Sequence, residues 1–327
     1  PGRVGPRVGS GAVMQAVILA AGKGTRLLPV TQARSKAMVP VLGRPLVERA
    51  VMPFVDNGVH DFVFVISRAD TEIRDHFKKR CALDITTRFV IQEERLGMAH
   101  ALGLAAPLIS DRFAVSACDS LIDPSHVGDL LETASDADAV LSLLEVEPEL
   151  VTRSGVVEFD GARIRRIVEK PTLDTAPSNT VSLPHYVFSP PILDLLHSVE
   201  PSPRGEYELQ DAIQMLIDGG GVVTGVRAAQ RTQVSNPDDL LTLTRMLFSE
   251  EGASDRPAPG PAGHGLHFVE PFQIERGVVL GDGCSIGPEV FLESGCEIGR
   301  GAVVRRSIVL RGGRIGDGET IEDQVVV

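Results

Sequence analysis

The sequence predicts an α/β domain followed by a smaller all-β unit, and three observations carry this. Apolar runs of strand length alternate with helix-length segments through the first two thirds of the 327 residues. The first run, AVILAA at 16–21, ends in a glycine-rich, basic loop. Beyond residue 265 the hydrophobic period changes to six. We therefore expect a flexible lead over 1–13 and an α/β domain with a mixed, mainly parallel sheet over 14–249. A linker over 250–266 should join it to a short left-handed parallel β-helix over 267–327.

The elements follow in order. Val17–Ala20 is a continuous apolar run, as a central parallel strand requires. Pro45–Asn57 reads as a helix with Gly58 beyond its end, then Phe62–Ser67 as a strand and Asp70–Lys78 as a helix. Thr87–Ile91 is a strand, Ala99–Leu108 a helix, and Phe113–Ala117 a strand that stops before Cys118-Asp119-Ser120. Further strands are Ala139–Leu144, Gly155–Phe159 and Ile164–Val168; further helices are Pro191–Leu196 and Gln210–Asp218, the latter closed by Gly219-Gly220-Gly221. Ligands bind beyond the carboxyl ends of the strands in such sheets, where the glycine loop, Asp119 and Lys170 fall.

The segment EEGASDRPAPGPAGHG, 250–265, has no periodicity and reads as a linker. After it Phe268, Ile274, Leu280, Ile286, Leu292, Ile298, Val304 and Leu310 recur at an interval of six. No amphipathic helix keeps a period of six on one face, so this is a stack of short strands, three hexads to a coil. Cys284, Cys296 and Ala302 stand two before an aliphatic residue and should point inward; the two thiols are expected to pack rather than to hold a metal.

Charge and composition exclude several functions. With 32 basic and 44 acidic side chains the net charge is −12, which disfavours a nucleic-acid backbone. Twelve Phe, two Tyr and no Trp offer no base-stacking platform. No apolar run approaches eighteen residues, so no membrane partner is expected. Four scattered cysteines without a CxxC pair suit a cytoplasmic location. A small anion remains possible where cations converge, and Gly22, Gly24, Lys23, Thr25 and Arg26 offer such a place. The loop lacks both the third glycine of a dinucleotide fingerprint and the G-K-[ST] of a P-loop.

The run LAAGKGTRLLPVTQARSKAMVPVLGRPLVERAV resembles the opening of the sugar-1-phosphate nucleotidyltransferases. IQEERLGMAHALGLAAPLI, DGARIRRIVEKP, SNTVSLPHYVFSP and RGEYELQDAI resemble the uridylyltransferases that make UDP-glucose, over about residues 14–245. The tail is similar to the β-helix of ADP-glucose and GDP-mannose pyrophosphorylases. The resemblance implies a Rossmann-like nucleotidyltransferase domain and the joining of a nucleoside triphosphate to a sugar 1-phosphate, with Mg²⁺ and release of pyrophosphate. It implies that Ala21, Gly22, Gly24 and Thr25 wrap the triphosphate, with Arg26 and Lys36 supplying charge. Gln92 and Gly97 match the positions that read the base, UTP or dTTP before a purine triphosphate. Asp119 matches the Mg²⁺ carboxylate, and Glu169 and Lys170 match the contacts to sugar hydroxyl and phosphate. Oxygen ligands for Mg²⁺ and fixed cations suit phosphoryl transfer, which requires no protein nucleophile.

The chain departs from the pattern at three places. RTQVSNPDDL puts Gln233 where the family has a second metal aspartate and Ser235 at its glycine. Gln233 is thus expected as a weak metal ligand or as a substrate contact. Pro184 replaces a glycine at a sugar contact, and CDS precedes the metal site. Together they argue against ordinary glucose chemistry without singling out a substitute. The leading expectation is an active enzyme for an unusual sugar or cyclitol 1-phosphate, and the rival is a catalytically idle binding protein on the same scaffold. Acyl transfer by the β-helix is disfavoured, because the last sixty residues contain no histidine. A homo-oligomer, dimer or tetramer, is expected from the open coil ends.

Overall fold

The computed structural model describes residues 14–252, 254–255 and 263–327; the expected lead over 1–13 and residues 253 and 256–262 of the expected linker lie outside them. Nine strands build the main sheet: β1 (Gln15–Leu19), β2 (Asp61–Ile66), β3 (Thr86–Ile91), β4 (Phe113–Ala117), β5 (Ala139–Glu145), β6 (Gly155–Asp160), β7 (Arg163–Glu169), β8 (Thr180–Phe188) and β9 (Val223–Arg227). Their order is β7-β6-β8-β4-β1-β2-β3, with β5 also paired to β8, and β9 to β5. The half made of β4, β1, β2 and β3 is wholly parallel. β8 runs antiparallel to β4, β5 and β6, so the sheet is mixed as expected.

Helices cover both faces. They are α1 (Leu46–Val55), α2 (Thr71–Lys79), α3 (Met98–Ala105), α4 (Pro124–Thr133), α5 (Pro191–Leu195), α6 (Leu209–Asp218) and α7 (Pro237–Glu251). Val17, Val63 and Val115 pack with Ala101, Leu102 and Ile213 on one face. Ile18, Phe62 and Phe64 pack with Val47, Val51 and Phe54 on the other. The alternation along β1 to β4 is thus one of faces and not of polarity, which is why these strands read as unbroken apolar runs.

Of the sheet strands and helices just named, four have no counterpart in the sequence expectation: α4, α7, β8 and β9. Pro184 hid β8, because a proline inside a run argues against a strand. In the structure Pro184 sits where the ladder to β5 shifts register, between Leu183 and Tyr186. A missing N–H costs no ladder bond at such a bulge.

The tail forms three parallel sheets of short strands, as expected of a hexapeptide β-helix of the left-handed kind. Cys284, Cys296 and Ala302 are buried inside it beside Ile286, Ile298 and Val304. Phe272 stacks on Val290, eighteen residues on, but Val303 stacks on Thr320, seventeen on. One residue is lost between Val304 and Val309, so Val309 and not Leu310 stacks on Leu292. Leu310 was expected inside the coil and faces outward instead. It joins Phe291 and Ile308 in a cluster with Leu27, Val30, Leu240 and Phe248 of the first domain. The β-helix is therefore docked on the α/β domain through an apolar seam.

Candidate active site

The parallel strands all end at one edge, and the chain leaves each with a different chemical group. After β1 the Ala20 N–H still bonds Val65 O at 2.8 Å, and the chain departs from the sheet at Ala21. Gly24 takes φ +64°, and a Cβ there would lie 3.0 Å from both Lys36 Cβ and Thr31 Cγ2. Only glycine lets the loop fold this closely onto the segment that carries Lys36. Thr31 Oγ1 closes the fold by donating to Gly24 O at 2.8 Å.

Lys36 and Asp119 meet although 83 residues separate them, Lys36 Nζ donating to Asp119 Oδ2. Asp119 follows β4, and Lys36 is buried, so the pair is held at the floor of the cleft. The adjoining Cys118 is buried and its thiol is pushed far up, first by burial and then by the Asp119 charge, which removes it as a nucleophile. At the end of β3 the buried Gln92 bonds Gly97 O at 3.3 Å and His100 Nδ1 at 3.0 Å through its amide nitrogen. Gly97 has φ +104°, and a Cβ there would come within 2.5 Å of Tyr207 O. These groups surround a cleft of about 590 Å³, within the usual size for a small-molecule site. Lys23, Arg26, Lys36 and Arg95 line it against only Asp119 and Glu206. A chain of net charge −12 thus presents a cationic cleft.

Ala21, Gly22, Gly24, Thr25, Arg26, Lys36, Gln92, Gly97 and Asp119 all line this cleft. Glu169, Lys170, Pro184 and Gln233 do not. Glu169 ends β7, and its Oε1 lies 3.3 Å from Lys170 Nζ and 3.6 Å from Arg204. Its other oxygen, Oε2, is buried without a hydrogen-bond partner. Burial raises the pKa of this carboxyl, and Lys170 opposes the shift. Lys170 has φ +43°, the strained left-handed region for a side chain of this size.

Gln233 donates its amide nitrogen toward Asp119 Oδ2 at 3.4 Å, while its oxygen accepts from Arg231 Nε at 3.0 Å and from a second nitrogen of the same guanidinium. Arg231 also reaches Ser154 Oγ at 3.2 Å, and Ser154 O accepts from the Lys170 N–H at 3.1 Å. A continuous polar path runs from Lys170 through Ser154, Arg231 and Gln233 to Asp119. Burial lowers the Arg231 pKa first; the Asp119 charge raises it, and nearby Arg153 and Arg26 lower it further. Pro184 lies in the β8 bulge described above.

Sequence reasoning missed three arginines. Arg95 lines the cleft and donates to Ala21 O, Arg204 neighbours Glu169, and Arg231 fixes Gln233. Arg95 and Arg204 stand inside the motifs IQEERLGMAH and RGEYELQDAI, where a search for cations beside each motif would have found them.

A mixed sheet with a glycine loop and a cationic cleft at its parallel edge defines a nucleotide-binding α/β enzyme. The family model for nucleotidyl transferases matches residues 15–245, and the chain belongs to that family, whose reaction joins a nucleoside triphosphate to a sugar 1-phosphate. The UTP–glucose-1-phosphate uridylyltransferase AglF of Haloferax volcanii is 35% identical over 230 residues, covering 69% of this chain and 93% of the relative. The UTP–glucose-1-phosphate uridylyltransferase of Bacillus subtilis is 30% identical over 62% of this chain and 80% of its own length. A solved UDP-glucose pyrophosphorylase complexed with UDP-glucose superposes with a TM-score of 0.65, at 24% identity, over 73% of this chain and all of that one.

Proposed function

We propose that the protein transfers a nucleotidyl group from UTP or dTTP to a sugar or cyclitol 1-phosphate. A phosphate oxygen of the acceptor forms a bond to the α-phosphorus as the bond to the departing pyrophosphate breaks. The observation that carries this is the cationic cleft with the Lys36–Asp119 pair at its floor. Gly22–Arg26 would wrap the triphosphate, and Arg26, Lys36 and Arg95 would hold charge on it without reorganising. Gln92, oriented by Gly97 and His100, would read the base edge. The names of the two uridylyltransferase relatives favour UTP.

The unpartnered Glu169 Oε2 suits a sugar hydroxyl, since a buried acceptor without a donor is costly until a ligand supplies one. Lys170, with Arg204 beside it, would meet the acceptor phosphate. Asp119 fits Mg²⁺, because that ion binds through one or two carboxylates and completes its shell with substrate phosphates and water. Bound there, it would neutralise charge on the triphosphate. Gln233 offers no free oxygen while Arg231 holds it, so Asp119 would be the sole protein carboxylate on the ion. The free cysteines suit a reducing, cytoplasmic setting, and no described helix is long and apolar enough to cross a membrane.

The test is pyrophosphate release with Mg²⁺ from each of five nucleoside triphosphates against a panel of sugar and cyclitol 1-phosphates. Turnover with UTP or dTTP is expected. Turnover only with GTP or ATP would change the base assignment. Silence across the panel with nucleotide binding intact would favour the idle scaffold.

A further inference from the structure

The mechanism above uses nothing from the β-helix, yet the β-helix reaches the segment that carries Lys36. Arg34, two residues before Lys36, places Nη1 2.7 Å from Glu293 Oε1 on the first residue after a β-helix strand. The two side chains are only 10% and 5% exposed. Glu293 is otherwise committed to the β-helix: Oε2 accepts the Arg311 N–H at 2.8 Å and Oε1 lies 3.3 Å from the Arg311 guanidinium. Glu293 thus joins the α/β domain and the β-helix by a buried ion pair, with hydrogen bonds on both oxygens.

The same stretch is gripped from its apolar side. Leu27 and Val30 are buried in the cluster that contains Phe291, Ile308 and Leu310 of the β-helix. Gly24 in turn packs on Lys36 and Thr31, so what fixes Thr31–Lys36 also shapes the glycine loop. A mechanical path runs from Glu293 to Arg34, then to Lys36 and Asp119.

We propose that the β-helix completes the nucleotide site, with Glu293 as a positioning residue that sets Lys36 and the glycine loop for the triphosphate. This rests on the nucleotidyltransferase reading of the cleft. Removing the carboxylate leaves Arg34 charged and buried without its partner, and the segment shifts to regain water. A displacement near 1 Å at the phosphates is costly to the reaction.

The experiment compares E293Q, E293D and R34A in the full chain. Isothermal titration with the triphosphate is run beside turnover, and thermal melting reports folding. E293Q is expected to weaken triphosphate binding and kcat/KM about tenfold, with KM for the acceptor within about twofold. E293D should recover most of the loss. R34A should match E293Q, and the double variant should lose no more than either alone. Unchanged triphosphate affinity in folded E293Q overturns the proposal, as does equal weakening of both substrates. Should E293Q not fold, R34K keeps the charge and decides by the same readouts. Because binding is measured apart from turnover, an enzyme silent with every acceptor would count against the catalytic reading and still test this one.

Discussion

Asp119 is contested by two side chains, and the outcome sets the chemistry of the site. Lys36 pairs with Oδ2, and Gln233 turns its amide nitrogen to the same oxygen because Arg231 holds its carbonyl. Asp119→Asn should lower pyrophosphate release about a hundred- to a thousandfold, with nucleotide-free folding intact by thermal melting. Gln233→Asp should put a second carboxylate beside the first, paired by Arg231. The Mg²⁺ concentration for half-maximal rate should fall, and the rate with a plain hexose 1-phosphate should hold or rise; a destroyed activity would make Gln233 a substrate contact. A pH effect comes from His185, buried between Ser116 Oγ at 3.0 Å and Ser120 Oγ at 2.9 Å. Burial lowers its pKa to about 3, so the folded state keeps it neutral while the unfolded chain protonates near the ordinary histidine value of about 6.5. The unfolded state then binds more protons between those values, and stability falls as pH drops through that window. The slope from this group is about 1.4 kcal/mol per pH unit. Urea unfolding from pH 7 to 5 should show it, and His185→Gln should flatten the profile.

Secondary-structure elements place these side chains through their ends. α7 begins with a reciprocal cap: Asn236 Oδ1 accepts the Asp239 N–H at 3.0 Å, and Asp239 Oδ2 accepts from Asn236 and Ser235. That cap fixes the exit of the two-residue strand Thr232–Gln233, which pairs with Ser120–Leu121 after Asp119. Asn236→Ala should cost about 1 kcal/mol in chemical denaturation. Because Ser235 lines the cleft, it should also raise KM for the triphosphate. The sequence carries start signals for both unread helices, Asn-Pro-x-Asp before the apolar run of α7 and Asp123-Pro124 before α4, where Asp123 accepts the Ser125 N–H at 2.8 Å, but the sequence expectation used neither. β8 was not legible. Its proline reads as a break until a neighbouring strand shows that the ladder shifts there.

On the scale of the whole molecule, the two folded parts share one apolar seam. Leu27, Val30, Leu240, Leu247 and Phe248 pack with Phe291, Ile308 and Leu310. A chain ending at 252 should expose that surface and aggregate, measured by scattering during expression and refolding, whereas the full chain stays dispersed. Val325 and Val326 are half-buried apolar residues on a short strand that pairs with Ile308–Val309, and a second copy could cover this apolar surface. Light scattering at micromolar concentration should find a dimer or tetramer; a monomer would reject that assembly.

What the sequence determined by itself is whatever is encoded by local pattern. Unbroken apolar runs forced buried parallel strands, the period of six forced stacked coils, and the glycine loop after β1 marked where the chain leaves the sheet to line the cleft. These signals survive because each depends on neighbours a few residues away. Tertiary structure decided the rest, because the deciding contacts span long stretches of chain. Arg231 turning the Gln233 amide toward Asp119, Leu310 leaving the coil after a one-residue deletion, and Arg34 meeting Glu293 are such contacts. A glutamine has two ends and an aliphatic residue two possible faces. Only the packed partner, 259 residues away for Arg34, determines which end of a side chain is used and what the segment carrying it is fastened to.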